Sequence, residues 1–296
     1  MKKSIFIGRM VSVGILSVTL SQSVFAQKQA YQLFNENGKK VKYEKMAEAA
    51  SEADIVLFGE QHTNPISHWL QLELTRDLHK MKGNSLVLGA EMFESDNQLL
   101  LDEYFQELIT EEKFEDEARL WNNYLTDYKP LVLLAKENKL RFVATNVPRR
   151  YANSIFKQGV EVLQKLSDEA KMYLSPLPLE YDTTLACYKA LMGGNEGMPG
   201  HGSINMADAQ AIKDATMSHF ILENWEPGKL FIHYNGAYHS DNFESMNWFL
   251  LKANPGLKIV TISTVTQDNL VDLDEDFLGK ANYIIAVPAD MTQTSR

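Results

Sequence analysis

One cysteine, Cys187, is the whole thiol content of the 296 residues. An intrachain disulfide is therefore excluded, and no cysteine stands where a secreted chain would be acylated. Cys187 is expected to be a small buried hydrophobe. Past the first residues, no apolar run is long enough to cross a bilayer. Low-complexity tracts are missing too. Positive charge is in deficit: 29 Lys and Arg stand against 39 Asp and Glu, a formal net charge of −10. That balance argues against nucleic acid and against anionic membrane surfaces as partners. What is left, 45% hydrophobic and 23% charged, suits an ordinary globular protein.

Residues 1–26 are expected to be a secretory leader and not part of the fold. Lys2, Lys3 and Arg9 give a basic start, Met10 to Leu20 is apolar, and Val24-Phe25-Ala26 presents small residues where a signal peptidase reads. The apolar run is short for a membrane anchor. The mature chain is expected to begin at Gln27 and to be periplasmic without a lipid anchor. Loss of the leader removes three cations and leaves the rest more acidic still.

Tyr31 to Phe34 and Val41 to Tyr43 flank Asn37-Gly38, a hairpin signal. A short helix is expected over Glu44 to Ser51. A β/α rhythm follows. Strands are expected at Asp54 to Gly59, Ser85 to Glu91, Arg141 to Thr145, Leu230 to Tyr234, Leu257 to Ser263 and Tyr283 to Val287. Helices lie between them, at Asn64-Pro65 to Gly83, about Asn97 to Leu108, Pro130 to Asn138 and Ser240 to Lys252. The strands are near-continuous apolar runs, as in parallel strands buried on both faces. The expected class is α/β, a mostly parallel central sheet flanked by helices with an N-terminal hairpin, all in one domain over 27–296. Residues 149–227 break the rhythm. They read as an inserted helical subdomain, either a lid over a site or a plain surface excursion.

Two strands end in the same device, Gly59-Glu60-Gln61-His62 and Gly236-Ala237-Tyr238-His239. In parallel sheets ligands bind beyond the carboxyl ends of the strands, and there the polar residues gather: Glu60, His62, Glu91, Arg149, Arg150 and His239. Two histidines and two carboxylates suit a divalent metal, with His62, His239 and Glu91 as ligands. A metal-bound water would then be a nucleophile, and Glu60 or Glu91 a general base. The competing reading is a set of satisfied core residues and ion pairs. His68, His79 and His219 are read as helix-face residues and His233 as core. Trp121, Tyr124 and Tyr128 share one helical face, a core stripe or a wall for a flat ligand. Tyrosine and histidine are both haem-iron ligands, and Met192, Met198 and Met206 offer apolar lining.

Taken in order, Gly59-Glu60-Gln61-His62-Thr63-Asn64-Pro65, Gly89-Ala90-Glu91-Met92-Phe93, Trp121-x-x-Tyr124-x-x-x-Tyr128-x-Pro130, Asn146-x-Pro148-Arg149, Gln210-x-x-x-Asp214-x-x-Met217 and Asn235-Gly236-x-x-His239 resemble the ChaN-type haem-binding uptake family of the Tiki superfamily. The resemblance runs from about Tyr31 to the last strand. It implies an extracytoplasmic haem-binding protein of iron uptake, dimerising, with a tyrosine on the haem iron and an outer-membrane haem receptor as partner. Tyr181, Tyr188 and His201 in the inserted region are the candidate haem contacts. The wider superfamily holds metal-dependent proteases with two G-x-x-H steps, and its Glu and His pattern is similar to that of erythromycin esterases. By that likeness His62, His239 and Glu91 take a metal or catalytic role, with Glu60 and Arg150 beside them, and a hydrolase of peptide or ester bonds is the alternative function.

Overall fold

The computed structural model describes residues 28–193 and 203–295. The expected leader, Met198 and His201 lie outside the described residues. Strands are β1 (Gln32–Asn35), β2 (Ile55–Glu60), β3 (Leu86–Glu94), β4 (Arg141–Asn146), β5 (Leu230–Gly236), β6 (Ile259–Gln267) and β7 (Tyr283–Pro288). Helices are α1 (Tyr43–Ser51), α2 (Pro65–Lys82), α3 (Gln98–Phe105), α4 (Glu111–Glu117), α5 (Lys129–Glu137), α6 (Arg149–Gln158), α7 (Asp168–Lys171), α8 (Ala186–Leu191), α9 (Ile204–Asn224) and α10 (Met246–Ala253). The sheet runs β1-β7-β6-β2-β5-β3-β4. All neighbours are parallel except β1 and β7. The expected α/β class, with a mostly parallel sheet between helices, is what forms.

The apolar runs form strands because each must feed two cores. Val56, Phe58, Leu88, Ile232 and Tyr234 pack with Leu74 and Leu78 of α2 and Leu131 and Val132 of α5. Ile55, Leu57, Val87 and Phe231 point the other way, onto Met217 and Ile221 of α9 and Met246 and Leu250 of α10. Alternate residues thus serve opposite faces, so no position in a central strand can be polar without a partner. Asn64 caps α2 by accepting from the amides of Ile66 and Ser67, at 3.0 and 3.1 Å.

Three expectations change. The N-terminal hairpin closes as expected around Gly38, whose φ is +74°, but its return arm is only a bridge between Phe34 and Lys40, and β1 pairs with β7. The segment before α10 is not continuous helix. It is two short 3₁₀ turns, with Asn242, Phe243 and Ser245 at positive φ. Cys187 is half-buried, its thiol pushed up to about 12 by burial and by Glu244, so it is unreactive at neutral pH. No described helix is long and apolar enough to cross a membrane.

β2 and β5 are neighbours, yet the chain leaves β2 through α2 on one face and leaves β5 through α10 on the other. This divergence opens a crevice at their carboxyl ends. Close packing of the sheet is tightest at Gly89, where an added Cβ would sit 2.7 Å from the Phe231 ring. Gly89→Ala is expected to cost about 1–3 kcal/mol by overpacking, read as a lower midpoint in chemical denaturation with an unchanged m-value.

Candidate functional site

The two G-x-x-H steps interlock. Register places Gly59 beside Asn235 and Glu60 beside Gly236. A Cβ on Gly59 would lie 2.9 Å from the Ala237 Cα, and one on Gly236 would lie 2.8 Å from Cε1 and Nε2 of His62. Each glycine therefore yields its side-chain space to the other step. The backbone after β5 crosses the end of β2, and the His62 ring settles over Gly236.

Behind His62 is a buried polar network. Its Nδ1 donates to Glu60 Oε1 at 2.9 Å. Glu60, 2% exposed, also accepts from Tyr128 Oη at 2.7 Å and from Gln71 Nε2 at 2.6 Å. His68 reaches Gln71 Oε1 and the His62 carbonyl, at 3.2 and 3.1 Å. Asn123 donates to the same carbonyl and to Asp127. The His62 loop is thus held by main chain and side chain together. The His68 expectation is corrected: it is buried within this network because the loop after β2 folds back over the first turn of α2. His233 is core, as expected, wedged between Thr145 and Asn235. Burial lowers its pKa to about 4 and keeps it neutral.

His239 has a different setting. Its Nδ1 meets Asp214 Oδ1 at 2.5 Å and its Nε2 lies 3.3 Å from Glu91 Oε1. Asp214 also accepts from Tyr188 Oη at 2.8 Å, and Glu91 from the Gly236 amide at 2.7 Å. Burial opposes charge on all three groups. For His239 the two carboxylates outweigh it and raise the pKa to about 10. For Glu91, burial is outweighed by His239, His62 and the Gly236 amide, so its carboxyl is held well below the usual range. For Asp214, burial prevails over His239 and Tyr188 and pushes it up.

The expected divalent-metal triad of His62, His239 and Glu91 is not assembled. Among the described residues no group of three or more His, Cys, Asp and Glu side chains is arranged to hold a metal ion. Both ring nitrogens of His239 are already engaged, Nδ1 by Asp214 and Nε2 by Glu91, with the Gln210 amide beside them.

A cavity of about 940 Å³ opens over these groups. It is lined by His62, Glu91, Gly236 and His239 at the strand ends and by Leu120, Trp121, Val147, Leu191, Gln210 and Lys213 around them. Helices of the 149–227 segment thus supply a wall, and α9 also packs on the sheet. Trp121 stands edge-on to His62, ring centroids 4.9 Å apart. Tyr124 is core and Tyr128 supports Glu60, so the expected aromatic stripe divides between both of its readings. Asn146 donates to the Glu91 carbonyl, and its buried Oδ1 has no partner.

The other candidates lie elsewhere. Arg150 pairs with Asp96 and stacks on Tyr151; its neighbour Arg149 lines the cavity. Tyr188 is fully buried on Asp214, and Tyr181 donates to Asp208. Neither lines the cavity, because both hydroxyls are drawn to carboxylates of α9. Asp214 and Gln210, one helical turn apart, both reach His239, a role their spacing in the sequence does not reveal. Gln71 and Asp127 carry no isolated signal in the sequence, whereas Tyr128 is in the Trp121-x-x-Tyr124-x-x-x-Tyr128 pattern.

The crevice at the carboxyl ends of β2 and β5 thus holds His62, bonded through Nδ1 to Glu60, and His239, held between Asp214 and Glu91. The model of the haem-binding uptake family ChaN, Tiki superfamily, matches residues 46–250, and the chain belongs to that family. Among solved structures it is similar to ChaN of Campylobacter jejuni, described with cofacially bound haem: 18% identity, TM-score 0.64, 86% of this chain and 96% of that one. That likeness establishes a shared fold. A succinoglycan biosynthesis protein (11% identity, TM-score 0.49, covering 83% and 90%) and an erythromycin esterase in its open conformation (11%, 0.46, 90% and 83%) are more remote. No curated protein sequence matches.

The His239 ion pairs carry a pH signature. Its folded pKa lies above the free value of 6.5. The stabilisation is therefore fully present below pH 6.5 and is lost as pH rises through about 10. Ring ¹⁵N shifts should report His239 doubly protonated at pH 8. His239→Ala leaves two buried carboxylates without their cation and is expected to cost about 3–5 kcal/mol at pH 7, read by denaturant unfolding, with a smaller penalty at pH 10.5.

Proposed function

We propose that the protein binds haem in this cavity, with His62 Nε2 as the axial ligand, and serves as an extracytoplasmic carrier in haem and iron uptake. The observation that carries the reading is the setting of His62. Its Nδ1 is committed to Glu60, while Nε2 lies over Gly236 in the cavity lining, and no described group bonds it. A histidine that donates one ring N–H to a carboxylate is oriented and made more basic at the other nitrogen. Ferric or ferrous haem iron takes such a ligand. The cavity is within the range of ligand pockets, roughly 300–1,000 Å³, and Trp121, Leu120, Val147 and Leu191 offer apolar contact to a flat ring. Family membership supports the same ligand.

The expected leader at 1–26 supports export to the periplasm. A homodimer and delivery from an outer-membrane haem receptor follow from the family resemblance and complete the proposal. A divalent metal is not part of it.

A second reading, hydrolysis of a peptide or ester bond, is supported by the Asp214–His239–Glu91 chain, in which a buried imidazolium could protonate a leaving group. Arg150 has no part in it, since Asp96 and Tyr151 hold it.

Haem titration of the purified protein tests the first reading. A saturating Soret shift at micromolar haem is expected. In His62→Ala the shift should move to a different wavelength and binding weaken by on the order of tenfold or more, the loss of one iron bond. Absence of any Soret change in the wild type overturns the haem reading. Turnover of ester or peptide substrates that Glu91→Gln abolishes would establish the second.

A further inference from the structure

The cavity lining carries both signs of charge, and the signs are not spent equally. Of the carboxylates, Glu60 is taken up by His62, Tyr128 and Gln71. Glu91 is taken up by His239 and the Gly236 amide, and Glu94 by Arg119. Of the cations, Arg119 is spent on Glu94. Arg149 and Lys213 are not: among the described residues neither has a carboxylate within ion-pair distance. Lys213 reaches the Gln210 side chain at 3.5 Å and lies within electrostatic reach of buried Asp214 without an ion pair to it.

Unspent cations in a cavity are unusual in a chain of net charge −10. Their positions are fixed by packing. Arg149 is the first residue of α6, delivered to the rim by the Asn146-Val147-Pro148 exit from β4. Lys213 is in α9, and α6 and α9 are joined through Ala152, Ile155, Ala209 and Ile212. The two cations therefore come from helices packed on each other and line the same cavity as Trp121, Leu120 and His62.

Resting on the haem reading above, we propose that Arg149 and Lys213 form a two-point clamp for the paired carboxylates of a flat macrocycle. The cavity then selects its ligand by the dicarboxylate edge as well as by the metal. Arg149 contributes planar donors suited to a carboxylate and Lys213 a compact point charge. Porphyrins that keep both free acids bind whether or not they hold iron, and porphyrins with esterified acids are discriminated against.

Three ligands titrated against the purified protein separate the clamp from the iron bond: haem, haem dimethyl ester and iron-free protoporphyrin IX. Absorbance follows the two haems and fluorescence the free base. The wild type is expected to bind haem and protoporphyrin IX, and to bind the ester roughly tenfold more weakly, the loss of two partly exposed charge pairs. Arg149→Gln with Lys213→Gln should weaken haem and protoporphyrin IX by a similar factor and leave the ester unchanged. Both side chains are partly or fully exposed, so the variant should match the wild-type melting curve. Equal affinity of the wild type for haem and its ester overturns the clamp and leaves the haem reading intact. So does a double variant that binds haem as the wild type does. If none of the three ligands binds, the haem reading fails and the clamp with it.

Discussion

At the carboxyl edge of the sheet, Gly59 and Gly236 each surrender the space of a side chain to the other strand's loop. This mutual approach is the constraint on which the rest of the site depends. With a Cβ at Gly59, the chain leaving β5 could not cross so close, and Ala237 and Ser240 would be displaced. With a Cβ at Gly236, the His62 ring would lose its seat. The parallel register of β2 and β5 sets the two glycines one residue out of step. The two motifs therefore overlap like clasped hooks and do not lie side by side. Divergence of the chain to opposite faces after these strands then leaves room above them for a cavity.

The clasp gives two similar motifs dissimilar electrostatics. Near His62, Glu60 is satisfied by three donors, two of them from the neutral side chains of Tyr128 and Gln71. It does not depend on a cation for its hydrogen bonds. Near His239, Asp214 and Glu91 approach one imidazole from two sides, each with one further donor, Tyr188 Oη and the Gly236 amide. Burying two carboxylates is costly, and a proton on His239 offsets the cost. So the same spacing yields a neutral-donor cradle for one ring and an ion-paired, doubly blocked second ring. Sequence spacing alone cannot make that distinction, because the deciding groups come from α9 and α2.

Much of the fold was legible because the strands are forced to be. A strand buried on both faces must be apolar at every position, and the runs at Ile55–Phe58, Leu86–Leu88 and Leu230–Ile232 could hardly be anything else. Boundaries failed where tertiary contacts override local signals. Between Ser240 and Ser245 the chain is rich in Ser, Asp and Asn, poor helix formers, and anchoring of Asp241 to Ser263 and Lys280 bends it into separate turns. The location of the site was legible for the same topological reason as the fold. Its internal wiring was not. His68 carries the pattern of a surface residue in α2 and is buried only because the His62 loop closes over it. Tyr188 has the look of an available ligand and is consumed by Asp214, 26 positions further on.

Matching motifs invite a symmetrical role, and the geometry argues for a divided one. A two-histidine metal centre needs a lone pair from each ring, directed at one point. His239 has both ring nitrogens engaged by carboxylates, which raise its pKa to about 10. His62 Nε2 is the ring nitrogen left without a described hydrogen-bond partner, and it lies in a cavity far larger than a single ion requires. A ligand that carries its own four-coordinate metal and asks the protein for one further bond makes use of that inventory. The second histidine is then left to pair with Glu91 and Asp214 beneath the ligand.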